Sequence, residues 1–363
     1  MQKVLVLGAG KIGTLIAFLL ASSNDYHVYL ADLSLDNRPD LERLLAKTAN
    51  LETVTLDAKN KDEIRAFLKK NAVQAVAPCL PYFYNIEIAK LAKEFNISYF
   101  DLTEDTHTAN TVFDLAQNIT SAFVPQCGLA PGFISIVAQD LMKHFPLLDT
   151  VKMRVGALPV NISNGLQYSL TWSTDGLINE YGNLCQAIEN GEEVHSLPLD
   201  DLEEIKIDGL TYEAFNTSGG IGSLANSYLK KVKHMSYKTI RYPGHCAKMR
   251  FLMHDLKLNQ DRDTLKRILE NSIPKTSQDV VLVYVSVTGT KDNFFTEENY
   301  VKKFYPKIIN GFNWSAIQLT TASGLCATLD MVLSQPGKFK GHIRQEQISL
   351  DDLTSNRFGQ YYA

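Results

Sequence analysis

The sequence predicts an α/β chain: a doubly wound parallel sheet at the amino end, then a second, largely antiparallel α+β domain. Three observations carry this. The chain opens on MQKVLVLGAGKIGTLIAFLL, a run of β-formers, then glycines spaced G-x-G-x-x-G, then an apolar stretch of helical length. Strand-like and helix-like segments then alternate to about residue 130, the pattern of βαβ units. Beyond that point strand-like runs dominate and helices become few, as in a separate α+β domain. A length of 363 residues exceeds one typical core and agrees with two domains.

KVLVLG is a short continuous apolar run, the mark of a strand buried on both faces. Gly8, Gly10 and Gly13 follow, and TLIAFLLASS has helical spacing. Gly8 permits a tight turn, Gly10 lets a pyrophosphate approach the backbone, and Gly13 lets the helix pack close to the strand. The helix N-terminus offers unpaired N–H groups to the phosphates. YHVYLAD, the second strand, ends in Asp32, at the distance where an acidic residue accepts hydrogen bonds from an adenosine ribose. That carboxylate favours NAD, because it would repel the 2′-phosphate of NADP.

ETVTLDA reads as a strand, KDEIRAFLKKN as a helix, VQAVAPCLP as a strand running into a loop, and NIEIAKLAKEFN as a helix. ISYFDLT, HTANTVFDLAQNIT and SAFVPQCG continue the series as strand, helix and strand. Ligands of such sheets lie off the carboxyl ends of the strands, which places 81–85, 101–104 and 127–132 near the nicotinamide half of a cofactor. The expected cofactor set is Gly8, Gly10, Lys11, Ile12, Gly13, Asp32, Asp57, Cys79, Leu80, Pro81, Tyr82 and Leu129. The first domain, a Rossmann fold, is expected over 1–130.

GLAPGFISIVAQDLMKHF reads as a crossover helix. TVKMRVGALPV, GLQYSLTWST, EVHSLPL, EEIKIDGL, MSYKTIRYPG, FLMHDLKL and DVVLVYVSVTGT read as strands, and GLINEYGNLCQAIENG and DTLKRILENSI as helices. They assign 131–315 to a substrate-binding and dimerisation domain. WSAIQLTTASGLCATLDMVLSQ is helical again, and 316–363 is expected to return to the first domain.

A net charge of −4 without a basic block gives no reason to expect a nucleic-acid partner. The run IAFLLA is far short of the roughly 20 residues of a membrane span. No basic n-region precedes the first strand, so a cytoplasmic protein is expected. Cys79, Cys127, Cys185, Cys246 and Cys326 are scattered without metal-ligand spacing. Free, mostly buried thiols and no metal site are the expectation.

LPYFYN, GLAPGF, VGALPV, LQYSLTWSTDGLINEY, FNTSGGIGSL and above all YKTIRYPGH resemble the saccharopine dehydrogenase and lysine 6-dehydrogenase group over nearly the whole chain. EAFNTSGG with YKTIRYPGHCAK is more similar to the lysine 6-dehydrogenase branch. The resemblance implies NAD(P)-linked oxidation of a C–N bond: hydride leaves the carbon bearing an amine, and the imine is hydrolysed. Lysine would give 2-aminoadipate 6-semialdehyde and ammonia; saccharopine would give the semialdehyde and glutamate.

Such chemistry needs a neutral amine when hydride leaves, hence a general base, and a cation to hold the substrate carboxylate. His245 is the first choice for the base because its unperturbed pKa of about 6.5 suits neutrality; the lysine 6-dehydrogenase branch has histidine there. Asp101, at a strand end, competes for that role or anchors the amine. Lys248 is a second cation or, if buried, a base of depressed pKa. Arg241 is assigned to the carboxylate. Tyr82 and Asn85 border the nicotinamide, Trp172 walls the pocket, and Thr217 and Ser218 form an anion-cradling turn or a mobile loop.

The leading expectation is an NAD-dependent amino-acid dehydrogenase acting on lysine, working as a homodimer. Few arginines beyond Arg241 and Arg250 cluster in the second domain, which favours a substrate with one carboxylate. A glutamate-forming saccharopine dehydrogenase, a carboxynorspermidine dehydrogenase and a non-catalytic NAD-binding protein are the alternatives.

Overall fold

A computed structural model of the chain describes residues 1–36, 38–335 and 337–363. The chain divides into two compact units, Met1–Gly132 with Thr321–Ala363, and Phe133–Thr320.

The first unit begins as six parallel strands separated by helices: β1 (Gln2–Leu7), α1 (Lys11–Ser22), β2 (Tyr26–Asp32), α2 (Pro39–Leu45), β3 (Leu51–Thr55), α3 (Lys61–Asn71), β4 (Ala75–Pro78), α4 (Asn85–Phe95), β5 (Ser98–Phe100), α5 (Thr106–Leu115) and β6 (Ala122–Val124). β1 lies between β2 and β4 and is buried over Val4–Leu7, which explains its unbroken apolar run. Leu5, Leu7, Tyr29, Val76 and Tyr99 on the strands pack with Ile64, Leu68, Ile88 and Val112 from α3, α4 and α5. The helix ends follow local chemistry. Asn60 caps α3 and Asp105 caps α5 through their side chains, while α3 and α4 stop at left-handed Ala72 and Asn96. The sequence reading passed over the short helix α2, whose seven residues PDLERLL carry only a weak periodic signal.

The second unit contains α6 (Phe133–Met142), β7 (Leu147–Pro159), α7 (Thr174–Gly182), β8 (Cys185–Glu189), β9 (Glu192–Ser196), β10 (Glu203–Ile207), β11 (Leu210–Asn216), α8 (Leu224–Tyr228), β12 (His234–Arg241), α9 (His245–Arg250), α10 (Arg262–Ser272), β13 (Asp279–Lys291), β14 (Phe294–Phe304), β15 (Lys307–Ile309) and β16 (Phe312–Trp314). Its sheet runs β10-β11-β12-β7-β13-β14, with β8 bridging β12 and pairing β9. β12 and β7 are parallel and the other pairs antiparallel, so the sheet is mixed. α6 packs on β13 and β7.

Three expected segments differ. GLQYSLTWST forms no strand: Tyr168 and Leu170 are buried, but Tyr168 N–H donates to Asn164 Oδ1 and Leu170 N–H to the Pro274 carbonyl. FLMHDLKL is no strand either. A π-helical turn, Phe251–Asp255, extends α9, and Met249 and Met253 are buried four residues apart, on one helical face. GLINEYGNLCQAIENG is helical only to Gly182; CQAIE then forms β8, joined to β9 through Asn190 and Gly191, both at positive φ. That Asn-Gly pair is a hairpin signal the helical reading overrode.

α11 (Ala316–Ser334) starts in the second unit, where the Ala316 and Ile317 amides donate to Asp279 at 2.7 and 3.0 Å, and belongs to the first unit from Thr321. It is long and apolar enough to cross a membrane, yet 78% of it is buried, as in a core helix. β17 (Gly341–His342) extends the first sheet in parallel beside β6, giving the order β17-β6-β5-β4-β1-β2-β3. After α12 (Leu350–Ser355) the tail is tied back through Asp330, which accepts bonds from the Tyr26 hydroxyl (2.7 Å), Asn356 (2.8 Å) and Arg357 (2.6 Å).

Candidate active site

The glycine loop joins β1 to α1. Gly8 has φ +106°, and a Cβ there would meet the Cys79 carbonyl oxygen at 2.6 Å. A Cβ on Gly13 would overlap the Gly8 carbonyl oxygen, so this glycine sets how closely α1 approaches β1. Gly10 caps α1 in an extended conformation, and its missing side chain faces open space, with nothing within 4 Å. A turn strained for any other residue, a closely packed helix and an open cradle at that helix's N-terminus suit a dinucleotide diphosphate.

The other expected cofactor residues also lie at carboxyl ends of parallel strands: Asp32 as the last residue of β2, Asp57 after β3, Cys79 to Tyr82 after β4, Leu129 after β6. They therefore share one edge of the sheet. Asp32 accepts the Ala9 amide at 2.6 Å through one oxygen and the Ser34 amide at 3.3 Å through the other. Lys11 is exposed and Ile12 half-buried at the start of α1, and Asp57 folds its own loop by accepting the Lys59 amide at 2.9 Å. Burial pushes the Cys79 thiol up to about 12, which keeps it protonated and unreactive. Leu80, Pro81 and Tyr82 are half-buried; Leu129 is buried.

Asp101 lies just past β5, fully buried. Its carboxylate accepts the Tyr99 hydroxyl at 2.7 Å, the Thr103 amide at 3.0 Å and the Gln126 amide at 2.9 Å. Burial raises its pKa against the pull of these donors. The group knots the ends of β5 and β6 together, a structural employment that competes with the expected base or anchor role. Asn85, the first residue of α4, is buried, and its Oδ1 has no hydrogen-bond partner.

In the second unit, Arg241 and His245 come together around a residue the sequence reading did not single out, Tyr181 of α7. Arg241 Nε donates to the Tyr181 hydroxyl at 2.9 Å, and that hydroxyl lies 3.2 Å from His245 Nε2. His245 Nδ1 is 2.8 Å from the Leu166 carbonyl, which can only accept, so Nδ1 carries the proton and Nε2 accepts from Tyr181. The imidazole is wholly buried, stacked on Phe215 and beside Tyr168. Burial, then the Arg241 charge, lowers its pKa to about 3. This corrects the expectation of a histidine titrating near neutrality: both nitrogens are engaged and the ring is neutral.

Arg241 is itself buried, with Nη1 on the Ile240 carbonyl at 2.8 Å and its guanidinium carbon 5.1 Å from the Tyr168 ring centre. Tyr168 also accepts Trp172 Nε1 at 3.1 Å, so the half-buried Trp172 braces the aromatic cage. Glu213, opposite Arg241 in the β11–β12 register, accepts the Gly244 and Cys246 amides at 2.7 and 2.6 Å and so grips the peptide on both sides of His245. Thr217 and Ser218 are buried and bonded within the unit, to Thr239 (2.9 Å) and the Asn179 carbonyl (3.3 Å). Gly220 of the same loop lies so close to the Tyr237 ring that a Cβ would overlap it. The loop is packed, not loose. Lys248 is exposed on α9, not buried as the expected base role required.

Periodicity did not single out Tyr181, because α7 is buried nearly all round, from Gly176 to Tyr181 without a break. No local pattern marks Glu213, because its partners lie about thirty residues further on.

Gly10→Ala should fold normally yet weaken dinucleotide binding by about tenfold or more, whereas Gly13→Ala should lose stability by roughly 1–3 kcal/mol; titration calorimetry and urea unfolding check both. For His245 the folded pKa lies below the unfolded value of about 6.5, so the unfolded state binds the extra proton. Its stability contribution is complete above that value and is lost as pH falls from 6.5 towards 3. His245→Gln should flatten the stability–pH slope between these limits; an unchanged slope would contradict the buried neutral ring.

A sequence model described as "Saccharopine dehydrogenase NADP binding domain" matches residues 4–124, and one described as "Saccharopine dehydrogenase C-terminal domain" matches 128–357. The fold is also that of apo saccharopine dehydrogenase (L-Glu forming) from Saccharomyces cerevisiae, at a TM-score of 0.76 and 15% identity over 97% of this chain and 95% of that one. The C. glutamicum DAP dehydrogenase in complex with DAP superposes more loosely, at a TM-score of 0.49 and 12% identity over 99% and 98% of the two chains. The chain thus belongs to the saccharopine dehydrogenase family of oxidoreductases, with a nicotinamide-dinucleotide-binding amino-terminal domain.

Proposed function

We propose that this chain is an NAD-preferring dehydrogenase that oxidises the C–N bond of an amino acid, with lysine as substrate and 2-aminoadipate 6-semialdehyde and ammonia as products. The observation carrying the reading is the buried guanidinium of Arg241, held in an aromatic cage by Tyr168 and Tyr181, with the Tyr181 hydroxyl in turn bonded to His245. Its Nε and Nη1 are taken by Tyr181 and Ile240. We assign Nη2 to the substrate carboxylate. A desolvated guanidinium binds a carboxylate far more strongly than an exposed one. Arg250 is exposed and paired with Asp200 at 3.3 Å, and Arg262 is engaged by Asn179, Asn183 and Asn259. Arg154 and Lys238 are buried too but paired with Glu203, so among the described residues Arg241 is the cation we assign, and one cation suits a substrate with one carboxylate, which favours lysine over saccharopine.

Gly8, Gly10 and Gly13 would hold the diphosphate and Asp32 the adenosine ribose. The bound nicotinamide supplies the hydride acceptor. His245 is a positioning residue in this scheme: its neutral ring accepts from Tyr181 and fixes the hydroxyl that orients Arg241. With His245 and Asp101 both sealed by burial and partners, the amine arrives already neutral or loses its proton to water, and the rate follows the neutral fraction of the substrate.

The test is an incubation of purified protein with NAD and, separately, lysine, saccharopine or carboxynorspermidine, following reduced-nicotinamide absorbance and released ammonia. Reduction with ammonia from lysine is expected, with kcat/KM climbing with pH towards the substrate amine's pKa of about 10. Arg241→Met should cut kcat/KM by about a hundredfold or more, as for loss of a buried charged partner. Glutamate release from saccharopine alone would transfer the assignment to that substrate. NAD binding without reduction by any amine would overturn the dehydrogenase reading.

A further inference from the structure

β14 ends the second unit's sheet and, among the described residues, pairs with β13 alone. At eleven residues it is about twice the usual strand length, and its outer side carries a row of backbone N–H and C=O groups. Edges of this kind are normally kept short or covered. This one exposes Phe295 at 67% and Val301 at 48%, with Tyr305 just past its end at 53%.

The strand reads FFTEENYVKKF, acidic in its first half and basic in its second. A second copy laid antiparallel along this edge is related to the first by a two-fold axis normal to the sheet. Such an axis keeps each face of the sheet on its own side, so only residues of the same face come opposite one another. With the axis at Tyr300, Glu297 meets Lys303 of the second copy, Glu298 meets Lys302, and Phe295 meets Tyr305. An axis one step away, at Asn299 or at Val301, sets none of the four charges against an opposite one. Parallel pairing in register sets Glu against Glu and Lys against Lys, which is destabilising.

These charges have partners within the chain and capacity for more. Glu297 accepts the Ser286 hydroxyl at 2.6 Å, and Glu298 accepts Lys291 at 2.8 Å and lies 2.6 Å from His144 Nδ1. Lys303 donates to Asp208 at 2.8 Å, and the Lys302 ammonium lies 5.7 Å from the Phe304 ring centre. A carboxylate has about four acceptor sites and an ammonium three donors, so a cross-axis partner adds to these contacts without displacing them.

We propose that β14 is a self-recognising edge: two copies of this chain pair through it, antiparallel about Tyr300, and join their second-unit sheets into one. Backbone bonds make the attachment, and the acidic-to-basic order sets its direction and register. An aromatic pair, Phe295 with Tyr305, closes each end. The expected homodimer thereby gains an interface, on grounds independent of the dehydrogenase reading.

Sedimentation equilibrium of the full chain tests it. Wild type should sediment at twice the 40.6 kDa chain mass. Glu297→Lys with Glu298→Lys, and separately Lys302→Glu with Lys303→Glu, set like charges against each other across the axis. Each double variant should raise the dimer dissociation constant by about a hundredfold or more. Mixing the two variants restores opposite signs at every pair and should return the doubled mass, a result that misfolded chains cannot give. Register is read by disulfide capture: Asn299 faces Val301 of the second copy, so Asn299→Cys mixed with Val301→Cys should cross-link on oxidation, and neither should do so alone. A monomeric wild type, which leaves the edge to a different protein, overturns the proposal. So does a dimer whose mass survives both charge reversals, since its copies must meet elsewhere.

Discussion

The glycine at position 13 governs the first unit. With no Cβ, it lets α1 settle against the Gly8 carbonyl, and a methyl group there would overlap that oxygen. Gly8, at positive φ, in turn lies against the Cys79 carbonyl at the end of β4. Helix, first strand and fourth strand are locked at separations that only these residues permit, and the N-terminus of α1 ends up at the carboxyl edge of the sheet. An open space at Gly10 is the consequence, and it is what makes the edge a cradle instead of a packed corner.

The second unit answers a different constraint: a buried charge must be partnered. Arg241 reaches the Tyr181 hydroxyl and the Ile240 carbonyl, and Tyr181 passes the arrangement on to a neutral imidazole anchored on Leu166. Glu213 closes the frame from the neighbouring strand by gripping the amides on either side of His245. Such a network is stiff, and its members have little freedom to trade partners. In the reaction proposed above, His245 therefore acts through geometry, by placing a hydroxyl that places a guanidinium, and the proton inventory near neutrality belongs to the substrate amine.

Most of the first unit was legible because its information is local. Strand β2 is bounded as YHVYLAD suggests, and Asp32 sits at its end facing the loop, since spacing along a βαβ unit leaves little choice. The second unit was less legible. GLQYSLTWST buries Tyr168 and Leu170 as a strand would, but its backbone bonds go to Asn164 and Pro274, partners that no pattern within the segment announces. FLMHDLKL shows enough apolar character for either period, and burial of Met249 with Met253 selects the helical one. The Asn190–Gly191 turn was readable, yet the helical signal upstream of Gly182 hid it.

By itself the sequence determined the alternation of strands and helices, the glycine turn and the acidic residue at the end of β2, because backbone preference and periodicity act over a few neighbouring residues. Only the tertiary structure decided that His245 is neutral, that Arg241 answers to Tyr181 and that Asp101 is a knot between two strands. Those properties come from desolvation and from partners brought together across the chain. A charge's behaviour is set by what surrounds it in space, and that surrounding exists only once the chain is folded.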